Sequence, residues 1–518
     1  MSVRRPDERA QETRASSFAA RPPAASVGPR TATFDHRGTT SRNTARDVAT
    51  TWRPATWRTA TWRTATWRTA TWRTATWRTP VWPLFLLGFA LLCLGLLIGP
   101  RLATVDDAGY NCVGSVHLAG PFGFELNCDS PEFMWLARDP AGLINHLNSR
   151  QSRPGLILLA ALIQAPLSLV MPPEGPPTPV YQGLYDPLRV AQTFIDDRPA
   201  YFAYLILNFT ILFASFHFLR LTIERGQPTR SSAGAIIVVA TGLLVVANDV
   251  TKAFFWSPHT QMLNILVPVF AVYATQRVVA DARIQRPFAL AVGTLVGLGM
   301  TAYPVFVVIP ACMLLPAIVG LLREESPAVR RRDLVSLALL GVLSALPWAL
   351  WYLYVRLTTG QFSSAEIGLK QVIWMKDALA NGLGAFLSQW FDYLWELLAF
   401  AAPQAVALAA LVGWVAVTLV VALLWRRIER TRLTAALPII AIGLYVSCAV
   451  LGFYTCVGWL MPRLGYPVIP PLMVAAGATA TVVARQLAER PRSIFAGGCL
   501  ALALVQIIYE AAKQGPWS

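Results

Sequence analysis

Long apolar runs recur along this 518-residue chain from residue 81 onward, and they constrain its fold more than any other feature. A run of about 18 residues or more can cross a hydrocarbon core of roughly 30 Å as an α-helix. The runs are continuous rather than alternating, which favours helices as the spanning elements. Apolar residues make up 55% of the chain and charged residues 14%, which excludes a soluble multidomain organisation. The sequence therefore predicts an all-α polytopic membrane protein with the lipid bilayer as a partner.

We expect eleven to thirteen transmembrane helices in a membrane domain that covers residues 81–518. The segment 383–400 reads better as an interfacial helix, because Asp392 and Glu396 lie among its aromatic residues. The candidate spans are 81–99, 154–171, 201–221, 233–250, 262–280, 288–303, 305–322, 334–355, 405–425, 437–457, 466–484 and 494–512.

The net charge of +16 does not indicate a nucleic-acid partner. Residues 1–80 contain fifteen arginines and five acidic residues, hence +10, and most of the remainder lies in short loops between apolar runs. That distribution is typical of the positive-inside rule. It predicts a cytoplasmic N-terminus, and we expect a bacterial-type inner (plasma) membrane.

One conflict arises around residues 154–232. Arg220, Arg225 and Arg230 indicate a cytoplasmic loop after 201–221, although the loop after the first span should be extracytoplasmic. Either the run 154–171, interrupted by Pro166, does not fully span, or this loop breaks the charge rule.

Residues 1–80 read as a disordered basic tail, since they show almost no apolar pattern. Residues 51–80 are six copies of a TWRTA-type unit, whose period of five matches neither a helix face nor a strand face. Its Trp and Arg residues suit a lipid surface. Expansion of a short DNA repeat is the alternative explanation.

The first extracytoplasmic loop, 101–153, is long, acidic and rich in helix signals. Ser130-Pro131-Glu132 predicts a helix start with Ser130 as the capping hydroxyl, and Asp139-Pro140 predicts a second one. We expect two short helices along the outer membrane surface. Residues 356–402 form a second large outer loop.

Cys112 and Cys128 both lie in the first loop. In an oxidising compartment they can form a disulfide that closes a 17-residue segment. Such a bridge would stabilise the fold by roughly 3 kcal/mol.

The organisation of residues 81–485 resembles the GT-C superfamily of integral membrane glycosyltransferases, which includes the protein mannosyltransferases and the lipid A aminoarabinose transferases. Three features carry the resemblance: a large loop after the first span, its segment from Asp129 through Arg150-Gln-Ser-Arg153-Pro, and a late segment from Pro462-Arg463 to Pro471. The resemblance implies transfer of a sugar from a polyprenyl-phosphate donor to an acceptor on the outer face.

This reaction needs a general base, because an acceptor hydroxyl is a weak nucleophile until a carboxylate takes its proton. By matching position, Asp129 is the first candidate, followed by Asp107 with Asp106 beside it. The plainer explanation for Asp129 is a favourable charge at a helix N-terminus, which is worth about 0.3–1 kcal/mol.

The leaving phosphate needs a cation or a divalent metal beside it. Asp249 could serve as a second acid, on a metal or on the carrier phosphate. For an arginine that flanks a span, the alternative to binding phosphate is an interfacial anchor. For His259, the alternative is a solvated loop residue. The sequence shows no zinc-ligand spacing and identifies no metal. The candidate phosphate ligands are Arg153, His259, Lys252 and Arg463.

A multi-helix transporter or a lipid-linked glycan flippase is the rival interpretation, and a non-catalytic scaffold is the third. Transporters place ionisable residues or broken helices at mid-membrane. Acids that converge on an outer cavity would favour the enzyme, and acids that line a central pathway would favour transport.

Overall fold

The structure, a computed structural model, describes residues 81–98, 114–126, 129–145, 149–175, 196–226, 231–324, 326–363, 371–424, 434–458 and 460–512. The predicted tail and repeat at 1–80 lie outside these residues. So do Asp106, Asp107, Cys112 and Cys128, so their roles and the disulfide stay predictions.

The described helices range from a single turn to 33 residues. They are α1 (Val81–Leu96), α2 (Ser130–Arg138), α3 (Gly142–Asn145), α4 (Pro154–Val170), α5 (Arg198–Gly226), α6 (Ser232–Val246), α7 (Asp249–Phe254), α8 (Leu263–Asp281), α9 (Arg286–Ala302), α10 (Val308–Arg323), α11 (Pro327–Thr359), α12 (Ile373–Ala380), α13 (Leu383–Gln404), α14 (Val406–Leu424), α15 (Leu437–Val457), α16 (Pro462–Gly465), α17 (Ile469–Gln486) and α18 (Glu489–Ala512).

Eight of these helices are long and apolar enough to cross a membrane by length and composition, namely α5, α8, α10, α11, α14, α15, α17 and α18. Four shorter apolar helices, α1, α4, α6 and α9, bring the total in the described chain to twelve, within the expected range. Large apolar side chains on the outside of the bundle, such as Leu169 at 86% and Leu357 at 77% exposure, suit contact with lipid. The chain is an all-α polytopic integral membrane protein, as predicted.

The bundle has two chemically different ends. The loop end carries residues 114–153, and there the Lys252 ammonium donates to the Ile98 carbonyl (2.7 Å) and the Tyr204 hydroxyl to the Phe133 carbonyl (3.2 Å). At the basic end, Arg225 pairs with Asp281 (3.3 Å). At the loop end, these contacts join α7 to the end of α1 and the start of α5 to α2. At the basic end, they join the end of α5 to the end of α8.

Helix α4 starts and ends at the loop end. It begins after Arg153, and the turn that follows it is bound by Arg138 of α2, which donates to the Gly175 carbonyl and pairs with Asp197. Residues of α4 and α5 belong to one buried cluster. On α5 this cluster includes Tyr201, Tyr204 and Leu207, and it includes no buried α5 residue nearer the basic end. The run 154–171 is thus a helix, as expected, and both of its ends lie at the loop end. This placement agrees with the first of the two alternatives, and eleven of the described helices then join the two ends.

Helix α13 also keeps both of its termini at the loop end. Phe386 stacks on Trp374, whose indole N–H donates to the Cys456 carbonyl at the end of α15 (3.0 Å). Gly465 of α16 lies against the backbone of Ala401. The prediction of a non-spanning helix at 383–400 agrees with this placement, and α13 is not among the candidate spans.

The first loop folds more tightly than the sequence predicts. An antiparallel hairpin, β1 (Gly114–Ala119) and β2 (Phe122–Leu126), turns at Gly120, whose φ of +53° suits a residue without a Cβ. The Gly123 N–H donates to the Leu97 carbonyl (2.9 Å) and joins the hairpin to the end of α1.

The two predicted helices of this loop exist, but α2 is not on the surface. Its residues 130–137 are all buried against α4 and α5, because α2 presents apolar side chains around most of its circumference. Asp129 rather than Ser130 occupies the N-cap, and the Ser130 hydroxyl instead bonds to the Ser257 hydroxyl (2.8 Å). The second helix, α3, begins at Gly142, three residues after Asp139.

Candidate functional site

Asp129 lies at the start of α2, and none of its side chain is exposed. Its Oδ1 atom is 2.6 Å from an Nη atom of Arg150, which comes from the turn just before α4 and is equally buried. Burying a carboxylate is costly unless an opposite charge compensates it. The ion pair with Arg150 supplies that opposite charge.

Glu132 shares the same arginine. It follows Asp129 by three residues, a spacing that places the two carboxylates on one face of α2. The Nε atom of Arg150 donates to Glu132 Oε2 at 2.8 Å. One guanidinium thus holds both acids of the helix and ties α2 to the entrance of α4.

His259 approaches Asp129 from the connection between α7 and α8. Asn208 of α5 shapes this connection by donating from its amide to the carbonyls of Phe255 (2.9 Å) and Ser257 (3.1 Å). The Thr260 backbone N–H donates to His259 Nδ1 (2.8 Å), so the proton of the neutral ring is on Nε2. Nε2 faces Asp129 Oδ2 at 3.8 Å.

An aromatic column joins these groups to a second arginine. Arg463 lies over the ring of Phe254 at 5.5 Å, and Phe254 contacts the His259 ring at 5.0 Å. The His259 ring lies 5.6 Å from the Phe133 ring, and the Arg150 guanidinium lies 4.7 Å from the centroid of the same Phe133 ring. Cation–π contacts of this kind stabilise buried guanidinium groups. The column connects the late Arg463 motif to the first-loop acid by way of Phe254 and His259.

Arg153 is the third buried arginine, and it begins a chain of polar side chains. Its guanidinium lies 6.0 Å from the Tyr303 ring, and the Tyr303 hydroxyl meets the Tyr454 hydroxyl at 3.3 Å. Tyr454 donates to Asn264 Oδ1 (2.5 Å), whose amide group donates to Gln261 Oε1 (2.8 Å). The chain returns to the connection that carries His259, so it links the positions of Arg153 and His259.

Lys252 and Asp249 do not join this group in the same way. The ammonium of Lys252 donates to carbonyls at the end of α1, where a cation stabilises the negative end of the helix dipole. That contact favours a structural role over the predicted phosphate contact. Asp249 lies in the first turn of α7 and lines a separate cleft.

The structure therefore brings together four of the predicted site residues, Asp129, Arg153, His259 and Arg463. We name these four, with Glu132 and Arg150, the Asp129 cluster. Within the described ranges, no group of three or more His, Cys, Asp or Glu side chains could hold a metal ion. A divalent metal, which the sequence left open, has no ligand set among these residues.

Sequence reasoning missed Arg150 and Glu132 as members of the site. In the sequence, Glu132 is explained as an acid at a helix start, and Arg150 is explained as part of the motif before α4. Neither explanation requires the two side chains to contact each other. It also missed Tyr303 and Tyr454. Tyr303 had a weak signal, since it precedes a proline that interrupts a long apolar stretch.

Comparison with family models, with curated proteins and with solved structures finds no match for this chain.

Proposed function

We propose that this protein is a membrane glycosyltransferase of the GT-C type, which moves a sugar from a polyprenyl-phosphate donor to an acceptor. The observation that carries the proposal is the Asp129 cluster. It joins the predicted base to cations from two distant motifs at the loop end of the bundle.

Asp129 Oδ2 is the proton acceptor in this proposal. Oδ1 is held by Arg150, and the Nδ1 atom of His259 already accepts the Thr260 N–H. His259 therefore positions and polarises rather than acting as the base. In this proposal, the Asp129 carboxylate beside Arg150 accepts the proton of the acceptor hydroxyl as a general base.

The arginines serve the donor phosphate. The cluster holds two carboxylates and three arginines, so the formal charges of these five groups sum to one positive charge. A buried positive site favours an anionic ligand, and guanidinium groups match phosphate oxygens well. Arg153 and Arg463 are the proposed phosphate ligands.

The proposed step balances as follows. The acceptor hydroxyl gives its proton to Asp129 Oδ2, and its oxygen forms a bond to the anomeric carbon of the sugar. The bond between that carbon and the phosphate oxygen breaks, and polyprenyl phosphate leaves with the electron pair. The arginines stabilise the charge that develops on the phosphate.

We assign the loop end to the outer face of a bacterial-type inner membrane. Arginines such as Arg225, Arg323 and Arg485 mark the opposite end, which the positive-inside rule places in the cytoplasm together with the N-terminus. The placement of α4 supports this assignment, since it removes the conflict over the basic loop at 227–230.

One observation favours the rival, a transporter or lipid-linked glycan flippase. The polar chain Tyr303–Tyr454–Asn264 runs between helices that join the two ends, as the lining of a pathway would. The acids Asp129 and Glu132 lie instead at one end of the bundle, which favours the enzyme.

The test compares the surface glycans and glycolipids of a deletion strain, by mass spectrometry, after complementation with wild type, Asp129→Asn or Asp139→Asn at equal protein level. Asp139 ends the same helix and is the matched control. We expect wild type and Asp139→Asn to restore a lost sugar substituent, and Asp129→Asn to restore less than about 1% of it, the loss expected when a general base is removed.

Full restoration by Asp129→Asn would show that the base lies elsewhere. An unchanged glycan profile in the deletion strain would remove the transferase proposal. Accumulation of an intact lipid-linked glycan on the cytoplasmic side would instead favour the flippase.

A further inference from the structure

The connection between α7 and α8, residues 255–262, lies between the acid and a distant arginine of the Asp129 cluster. It carries His259, which faces Asp129 at 3.8 Å. Phe254, the residue before it, lies under the guanidinium of Arg463 at 5.5 Å. A substrate that reaches from Asp129 to Arg463 therefore lies against this connection.

Asn208 of α5 adds a hydrogen-bond acceptor to the connection. Its amide nitrogen donates to the carbonyls of Phe255 and Ser257 at 2.9 and 3.1 Å, so the side chain is fixed in place. The Oδ1 atom is buried and has no hydrogen-bond partner among the described residues. It is a carbonyl oxygen that can accept a hydrogen bond from a ligand.

Gln261 adds a donor, and a chain of hydrogen bonds fixes which of its amide atoms is left. The Tyr454 hydroxyl donates to Asn264 Oδ1, and the Asn264 amide nitrogen donates to Gln261 Oε1 at 2.8 Å. The Nε2 group of Gln261 has no hydrogen-bond partner within the described part of the chain. None of the residue is exposed, so bulk water does not reach this donor.

Trp256 adds a second donor. Its ring packs edge-to-face against Phe255 and Phe209, with ring centroids 5.0 and 6.5 Å apart. The indole Nε1 atom is buried and has no hydrogen-bond partner in the ranges that the structure describes. Aromatic contacts therefore place the ring, and the N–H is available to a ligand.

These three groups are unfavourable for folding by themselves, because buried polar atoms are nearly always hydrogen-bonded and an unsatisfied one lowers stability. A ligand that supplies the missing partners offsets this cost. Two of the groups donate, one accepts, and none is charged. A sugar ring fits this set, because each of its hydroxyl groups can both donate and accept.

We propose that the sugar of the donor lipid binds to the connection between α7 and α8, with its hydroxyl groups on Trp256 Nε1, Gln261 Nε2 and Asn208 Oδ1. This inference rests on the proposed function, which places the donor phosphate at Arg463 and the acceptor hydroxyl at Asp129. The anomeric carbon then lies between the base and the phosphate. The uncharged groups, together with the nearby carboxylate of Asp129, favour a neutral sugar over an acidic one.

The experiment measures how tightly the full chain in detergent binds five lipid probes. They are farnesyl phosphate and its esters with mannose, glucose, arabinose and glucuronic acid. Native mass spectrometry gives a dissociation constant for each probe. We expect wild type to bind at least one neutral glycosylated probe about tenfold or more tightly than farnesyl phosphate, since several hydrogen bonds are added. The glucuronic acid probe should show no such preference.

Two variants each remove one of the donors. Trp256→Phe keeps an aromatic ring and loses the indole N–H, and Gln261→Met keeps the side-chain length and loses the amide. Each should lower the preference for the glycosylated probe by about fivefold, the usual effect of one hydrogen bond, and leave the binding of farnesyl phosphate unchanged. Variants are compared at matched elution volume, and Trp256→Phe alone carries the test if Gln261→Met does not fold.

The matched controls make the same changes elsewhere. Trp348→Phe lies on α11, and Gln276→Met lies toward the basic end of α8, where the Gln276 amide donates to the Thr222 carbonyl at 3.2 Å. Both controls should bind every probe as wild type does.

Three results would overturn the inference. Wild type could bind farnesyl phosphate and all the glycosylated probes equally, or it could prefer the glucuronic acid probe. A preference for a neutral sugar that neither donor variant lowers would assign the three groups to packing within the protein, and the transferase proposal would still stand. That proposal is decided separately, by the glycan comparison in the deletion strain.

Discussion

Arg150 connects more of the loop end than any other single side chain described above. It binds Asp129 and Glu132 of α2, lies over Phe133, and comes from the turn that leads into α4. Both carboxylates are buried, so the guanidinium of Arg150 compensates charge that would otherwise be costly to bury.

We expect Arg150→Ala to destabilise the protein by about 3–5 kcal/mol, because it leaves two buried carboxylates without their cation. Thermal unfolding in detergent measures the change. Arg198→Ala is the control, since the Arg198–Glu174 pair is 50% and 61% exposed. Such surface pairs contribute about 0–1 kcal/mol, so the control should unfold close to wild type. Equal unfolding temperatures for the two variants would contradict the central role of Arg150.

At the residue scale, the sequence singled out Asp129 but not Arg150, the arginine that pairs with it. Asp129 follows a recognisable helix start, and His259 and Arg463 stand out in turn motifs. Arg150 lies 21 residues from Asp129 along the chain, and the basic residues that the sequence singled out, Arg153, Lys252 and Arg463, were expected to bind phosphate. Which of them reaches Asp129 depends on how α2 folds back onto α4, and no local pattern encodes that path.

At the scale of elements, α9 and α11 pack closely through small residues. Gly293 and Gly297 are four residues apart and lie on one face of α9. A Cβ on Gly293 would meet Leu343 Cβ at 2.9 Å, and a Cβ on Gly297 would overlap the Leu343 carbonyl oxygen of α11. The two backbones can approach this closely only because both positions lack side chains.

Gly297→Ala should destabilise the protein by about 1–3 kcal/mol, the usual range for overpacking. The obstacle is a backbone atom, which cannot rotate away. Gly341→Ala on α11 is the control, because a Cβ there meets nothing within 4 Å and alanine favours a helix. The check is the thermal unfolding temperature of both variants. This packing would be refuted if Gly341→Ala were destabilised and Gly297→Ala unfolded like wild type.

Helix existence was predictable at this scale, whereas helix environment was not. Apolar length alone predicted the spanning helices, and the start of α2 at Ser130 followed from its proline and acid. The same pattern suggested a surface helix, but α2 is buried. The apolar face of a short helix specifies burial, and either lipid or protein can provide it.

At the scale of the whole molecule, the direction of the chain through the bilayer depends on α4. If α4 returns to the loop end, Glu174 lies on the same side as the outer loop at Asp377, and Arg331 lies on the other side. All the basic loops then fall at one end, in agreement with the positive-inside rule.

A topology measurement tests this arrangement. Single substitutions Glu174→Cys, Asp377→Cys and Arg331→Cys are treated with a membrane-impermeant maleimide in intact cells and in inverted vesicles, and the unsubstituted chain gives the background. We expect Glu174→Cys and Asp377→Cys to react from one side and Arg331→Cys from the other. If Glu174→Cys reacts with Arg331→Cys instead, α4 crosses the membrane.

The sequence alone determined that this chain is a polytopic helical membrane protein, where most of its helices lie, and that an acidic loop with a helix follows the first span. These properties depend on local apolar length and on helix-start residues, which act over a few turns. The tertiary structure decided that α4 returns to the loop end, that α2 is buried, and that Asp129, Arg150, His259 and Arg463 belong to one connected group. Those outcomes depend on contacts between residues that lie 21 positions apart (Asp129 and Arg150) to 209 positions apart (Phe254 and Arg463), and such contacts form only when several helices have packed together.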